Sequence, residues 1–197
     1  MSRSFASPML LAICTIIGGC TGPWYTWRHK LTLSAESGGK VYTASSVVER
    51  TFGDGGMNQL ANYTKGEAVF LDLGPSCRPL IALLGRKHRE GETPDDCRWT
   101  DYGPVCLGKL YGVPEPGWKA GYRSGFGDFE GWDLLARQRG PREIGPESLP
   151  DLVTFADIND PKTVMAVDPF NPQDALGCGF EWQRITIEIT DEPVTSG

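Results

Sequence analysis

The sequence predicts a mainly β fold, a β-sandwich or small barrel-like domain with one or two short helices, with α+β as the alternative. Three observations carry this. Leu31, Leu33 and Ala35 alternate with Thr32, Ser34 and Glu36, and Glu181–Thr190 alternates in the same way, which is the period of a half-buried strand. Val41–Phe52 is rich in β-branched residues, which suit a pleated surface. Fifteen prolines and 25 glycines suit many turns and little long helix.

Taken in order, the first alternating stretch ends at Ser37-Gly38-Gly39-Lys40, a turn in which glycine can take positive φ. Val41–Phe52 reads as the return strand of this hairpin. Gly53-Asp54-Gly55-Gly56 reads as a turn; it lacks the following Lys and helix that a phosphate cradle needs. Met57–Lys65 reads as a helical turn or an ordered loop. Gly66–Leu73 is a strand stopped by Gly74-Pro75-Ser76. Pro79–Gly85 is a continuous apolar run that fits a strand buried on both faces, or a short core helix.

Arg86–Asp101 is charged and loop-like. Tyr102–Gly131 carries glycines at 103, 108, 112, 117, 121 and 125 with aromatics between them, and reads as an extended, disulfide-stapled excursion. Gly131–Arg139 reads as a short helix stopped by Gly140-Pro141. Asp151–Asp157 and Thr163–Val167 read as strands, Asp174–Leu176 as a helical turn, and Glu181–Thr190 as the strand that closes the domain.

The net charge is −6. Nucleic acid and anionic membrane surfaces both need clustered Lys or Arg, so an acidic body argues against either as a partner. Four cysteines lie in the body: Cys77, Cys97, Cys106 and Cys178. An even set in an exported chain is most simply two disulfides, and three pairings are open. The preferred one joins Cys97 to Cys106 across Asp101-Tyr102-Gly103-Pro104, leaving Cys77 with Cys178. A zinc site built from all four thiolates is disfavoured, because the sequence has no C-x2-C pair.

The first twenty residues have a different character. Arg3 lies in a short polar start, Met9–Ile17 is an apolar run far short of the roughly 20 residues that span hydrocarbon as a helix, and Gly18, Gly19 and Cys20 follow. Ile17-Gly18-Gly19-Cys20 resembles the lipobox of bacterial lipoproteins. The resemblance implies a signal peptide over 1–19, acyl chains on Cys20 that include a diacylglyceryl group, and membrane attachment through lipid. With Thr21 rather than Asp after the cysteine, it implies the outer membrane, facing the periplasm, in a Gram-negative source. Removal of 1–19 takes away Arg3 and no acid, leaving 18 basic against 25 acidic side chains, a net −7. The organisation is then 1–19 signal, 20–27 anchor linker, 28–193 one β-rich domain and 194–197 tail. In the linker, Trp24, Tyr25 and Trp27 fit either the headgroup level of a membrane or the edge of the domain. The body, through His29-Lys30-Leu31-Thr32-Leu33, Leu152–Pro161 and Ile185–Pro193, also resembles a family of small proteobacterial proteins with an N-terminal membrane anchor and no assigned activity.

Candidate functional residues are few. The sequence holds two histidines, His29 and His88, both read as solvated surface. No G-x-S-x-G, H-E-x-x-H or P-loop motif occurs, and no cofactor, metal or catalytic residue is assigned. Asp128 and Glu130 flank Phe129 and would share one side of a strand, a spacing that suits paired acid–base work or a hard cation. Asp157-Ile158-Asn159-Asp160 is a second oxygen-rich turn. Trp99, Tyr102, Tyr111, Trp118, Tyr122, Phe126, Phe129 and Trp132 lie within 34 residues, as in a stacking platform for sugars or an anchor for a protein. The alternative is that these rings form a local core for a glycine-rich segment. The resulting expectation is a binding or structural module of the envelope, its partner an envelope protein or cell-wall glycan met through residues 97–132. The alternative function is a periplasmic carboxylate-based hydrolase.

Overall fold

The computed structural model describes residues 24–54, 60–85, 104–113 and 134–196. The fold is mainly β, with two antiparallel sheets and short helical pieces between strands. The larger sheet has five strands. Its centre is the hairpin of β1 (Trp24–Ser37) and β2 (Lys40–Asp54), flanked by β3 (Leu60–Lys65), β6 (Arg142–Glu143) and β9 (Glu181–Ile189) in the order β3-β2-β1-β9-β6. The smaller sheet holds β4 (Val69–Leu71), β5 (Leu80–Ala82), β7 (Leu152–Phe155) and β8 (Val164–Val167) in the order β4-β5-β7-β8.

The hairpin forms as its sequence predicts. Gly38 and Gly39 adopt φ of 58° and 76°, the left-handed pair that a two-residue turn needs to match strand twist. Leu31, Leu33 and Ala35 then face inward, beside Ile187 and Ile185 of β9. The strict alternation read in Glu181–Thr190 is broken once. Ser34 pairs with Arg184 but Ala35 with Trp182, so Gln183 is an extra residue, and Trp182 joins the inward side with Ile185.

The chain passes between sheets at Gly66. Its φ is 139°, and a Cβ there would stand 3.0 Å from the Val47 carbonyl oxygen and 3.1 Å from the Val48 Cα. The backbone can cross β2 this closely because no side chain intervenes. Both sheets then share one apolar core, with Leu33, Ala35, Ile185 and Ile187 from the large sheet and Leu71, Leu80, Ala82 and Leu152 from the small one.

Several expectations are corrected. Met57–Lys65 was expected as a helical turn or loop, but Leu60–Lys65 is a strand paired with Glu49–Asp54 of β2. The long partner strand, rather than a clear period in Leu60–Lys65 itself, supplies its hydrogen bonds. The predicted excursion over Tyr102–Gly131 contains helix α1 (Pro104–Tyr111). Its signal was present: proline at the first helical position, Leu107, Leu110 and Tyr111 at helical spacing, and Gly112 just past the end. Of the predicted Gly131–Arg139 helix, the described part is a helical turn at 134–136. The second helix, α2 (Pro172–Leu176), contains the helical turn expected at Asp174–Leu176.

Both predicted edges of the domain move outward. Residues 24–27 of the linker belong to β1, pairing with Arg50–Gly53, and Trp27 is buried in the core. The tail is tied down too: the Thr195 amide donates to the Val47 carbonyl at 3.0 Å, and the Val47 amide donates to Thr195 Oγ1 at 2.9 Å.

Candidate functional site

Most residues singled out by sequence lie outside the described part. These are Cys20, His88, Cys97, Trp99, Tyr102, Trp118, Tyr122, Asp128, Glu130 and Trp132. The Cys106 side chain also lies outside it, and with it the expected Cys97–Cys106 bond. Tyr111 is within it, and does not stand on the surface as a platform ring. It is 9% exposed, its hydroxyl donates to the Gly140 carbonyl at 2.9 Å and accepts from the Ile189 amide at 3.0 Å. It thereby covers a length of β9 edge that the two-residue β6 is too short to reach. Burial pushes the Tyr111 hydroxyl above its usual pKa.

His29 is the clearest correction. Expected on the surface, it is 2% exposed on the inward side of β1, in the row of Leu31 and Leu33. Burial first, and then the Arg50 charge, lower its pKa to about 3, so it is neutral in the fold. Arg50 is also inward; its Nη1 donates to Thr64 Oγ1 at 2.6 Å and its Nη2 to the Leu84 carbonyl at 2.8 Å. The sequence signal was position alone: His29 has the parity of Leu31.

Cys77 and Cys178 are joined by a disulfide. It ties the β4–β5 connection to the α2–β9 connection, with Ser37 Oγ 3.1 Å from the Cys77 sulfur while donating to the Gly179 carbonyl at 2.7 Å. The oxygen-rich turn at 157–160 spends its oxygens on its own backbone. Asp157 Oδ1 accepts from the Asn159 amide at 2.9 Å, and Asp160 Oδ1 from the Lys162 amide at 2.9 Å. Among the described residues no cluster of three or more His, Cys, Asp or Glu comes together to hold a metal.

Two surface features remain. One is a groove of about 230 Å³ beside Thr26, Arg28, Glu49, Ala136 and Asp191. Charges at this groove are engaged: Arg28 Nε lies 2.8 Å from Glu49, and Asp191 lies 2.7 Å from Arg139. The other is the outward side of the small sheet. Inward-facing Val69, Ala82, Leu152 and Val167 form one cross-strand row. The next row, turned outward by strand alternation, is Phe70, Ile81, Val153 and Ala166. Leu83, Phe155 and Val164 share this side. Phe70 is 51% exposed, Val164 50% and Leu83 39%.

This face differs from the outward side of the hairpin, which is mainly polar although Val41 is exposed there. The described outward side of the hairpin and β9 carries Thr26, Arg28, Lys30, Thr32, Ser34, Thr43, Glu49 and Glu188, joined by polar contacts such as Thr26 to Thr51 at 2.9 Å. A contiguous apolar sheet face is uncommon on a soluble domain and marks a contact surface. The sequence concealed it. A continuous apolar run looks the same whether its second face is buried or merely apolar, so Pro79–Gly85 was expected to be buried on both faces. Leu80 and Ala82 are buried, while Ile81 is partly open.

Comparison with protein-family models, with curated proteins and with solved structures finds no match to this chain.

Proposed function

We propose that this chain is a lipid-anchored binding module of the cell envelope, attached to the outer membrane through Cys20 and meeting its partner on the outward side of the small sheet. The observation that carries the binding role is the outward row Phe70, Ile81, Val153 and Ala166, with Phe70 and Ala166 exposed and Ile81 and Val153 half-buried. Such a face gains free energy by being covered further, and its side chains point away from the core. Its apolar composition, without flanking hydrogen-bonding side chains in the row, favours a protein partner over a glycan, since sugars are held by stacked rings flanked by hydrogen-bonding groups. The Cys77–Cys178 disulfide supports export, because disulfides persist in oxidising compartments. The lipobox-like Ile17-Gly18-Gly19-Cys20 supports the anchor.

Two measurements test this. The intact mass of protein extracted from membranes is expected to correspond to a chain starting at Cys20 with added acyl mass, and Cys20→Ser is expected to abolish that product. A full-length unacylated mass would refute the anchor. For the binding role, Phe70→Ser with Val164→Ser is expected to fold with unchanged melting temperature and to fail to restore a deletion strain. Full restoration by that variant would refute it.

A further inference from the structure

One strand of the large sheet has an open edge beside its turn. We propose that the edge of β2 from Val41 to Ser45 receives an extended segment of a partner protein, which adds to the sheet as an antiparallel strand. This site is separate from the outward side of the small sheet, and the choice of occupant rests on the lipid anchor proposed above.

Hydrogen bonds fix which way each backbone group of β2 points. The Val47 carbonyl accepts from the Thr195 amide and the Val47 amide donates to Thr195 Oγ1, so Val47 turns its backbone away from β1. Backbone direction alternates along a strand, so Val41, Thr43 and Ser45 turn theirs the same way. The register with β1 agrees, since it runs without a shift from Trp24 opposite Gly53 to Ser37 opposite Lys40. On the outer side, β3 covers β2 only over Glu49–Asp54. Among the described residues no strand pairs with the outer edge of Val41–Ser45. Val41, Thr43 and Ser45 each present one N–H and one C=O there.

This edge is also unguarded. Exposed edges are ordinarily blunted by charged side chains, proline or bulges. Val41, Thr43 and Ser45 are exposed and uncharged, and no bulge interrupts their pairing with β1. Farther along, backbone already takes the same edge, through β3 over Glu49–Asp54 and Thr195 at Val47. An added strand therefore continues a ladder that is already begun. Its residues opposite Val41, Thr43 and Ser45 bond to β2 and carry their side chains on the outward side. The residues between them lie beside Tyr42 and Ala44, which pack against the core. The fitting segment is uncharged, with hydroxyl or β-branched side chains alternating with apolar ones.

A second copy fits less well. Paired antiparallel about Thr43, two copies point their Trp24 ends in opposite directions. Thr43 lies opposite Ser34, ten positions from Trp24, so at about 3.3 Å per residue the two ends stand about 66 Å apart. Cys20–Pro23, the tether left after processing, spans at most about 14 Å. Both anchors then reach one bilayer only if the sheets lie flat on it. That either desolvates the charged outward side of the large sheet or hides the apolar face of the small one.

The test uses the full chain, amide-resolved NMR and two synthetic peptides in which Thr and Val alternate between terminal lysines. One peptide is N-methylated at its Val amides, the other at its Thr amides. Only the first keeps N–H groups towards β2 with its Val side chains beside Tyr42 and Ala44. In the free chain the Ala44 and Ser46 amides are expected to resist hydrogen exchange, and the Thr43 and Ser45 amides to exchange freely. The Val-methylated peptide should slow exchange at Thr43 and Ser45 by about tenfold or more, and the Thr-methylated peptide should not. Thr43→Pro removes an N–H that β1 does not use, so it should melt near the unaltered chain and lose peptide binding.

Slow exchange at Thr43 in the free chain, equal effects of the two peptides, or no effect of either would overturn the proposal. The peptides decide the matter on the unaltered chain even where Thr43→Pro does not fold. A concentration-dependent dimer in sedimentation, abolished by Thr43→Pro, would overturn it in favour of a second copy. Failure of the anchor reads differently. If Cys20 carries no acyl chain while the Val-methylated peptide binds as stated, the anchor falls and the edge site stands.

Discussion

The two sheets share one core and differ on their outward sides. On the large sheet, most outward positions carry hydroxyls and charges that pair across strands, as in Arg28 with Glu49 and Thr43 with Ser34, with Val41 and Tyr63 exposed among them. On the small sheet, the equivalent positions carry Phe70, Ile81, Val153 and Val164. Solubility explains the first surface. It leaves the second unexplained, because a polar outward side would have served a core-forming sheet equally well. The apolar residues that hold the fold together and those available for a contact are therefore different sets on opposite sides of the same strands.

Substitution can break this comparison. Leu33 is fully buried between the sheets, so Leu33→Ala is expected to cost about 2 to 5 kcal/mol in urea unfolding, whereas Phe70→Ala should cost under about 1 kcal/mol. Comparable losses would mean that the outward row is part of the core. The Cys77–Cys178 disulfide encloses a separation of 101 residues and links connections belonging to both sheets. Replacing both cysteines with serine is expected to cost about 2 to 4 kcal/mol, by freeing the unfolded chain.

The inward side of the large sheet holds a pH-dependent contribution to stability. His29 has a pKa lowered to about 3 in the fold against 6.5 in its unperturbed state. As pH falls below 6.5 the unfolded chain takes up a proton that the folded chain refuses. Stability is therefore full above that value and is lost on descent towards 3, at a limiting slope of about 1.4 kcal/mol per pH unit. His29→Leu is expected to remove this part of the slope in acid-unfolding curves; an unchanged slope would show that carboxylates alone set it. The smallest effect is on the polar face. Thr43→Ala should change stability by less than about 0.5 kcal/mol, since Thr43 is exposed and its side chain donates to the Ser34 hydroxyl at the surface.

What the sequence made legible follows from how local each signal was. The β1–β2 hairpin could be read because its alternation and its Gly-Gly turn sit within one continuous stretch. The Cys77–Cys178 pairing was reached from the cysteine count and turn chemistry. Elements fixed by distant partners were harder. β3 depends on β2, residues 24–27 on Arg50–Gly53, and Thr195 on Val47. Helix α1 is masked in the sequence for another reason: recurring glycines surround it, although Leu107, Leu110 and Tyr111 mark its packed side. His29 was misplaced because a lone histidine is usually solvated, while its parity with Leu31 put it inside. The candidate site was the least legible part. Whether Ile81 and Val153 face a second layer or solvent is a property of the assembled fold, and no periodicity within β5 or β7 encodes it.

The most direct measurement compares the two faces in the cell. A photo-crosslinking amino acid is placed at position 70 in one strain and at position 188 in another, with the chain otherwise intact. The account predicts one discrete crosslinked product from position 70, absent when Val164→Ser is added, and none from position 188. No product from position 70, or the same product from both positions, would contradict it.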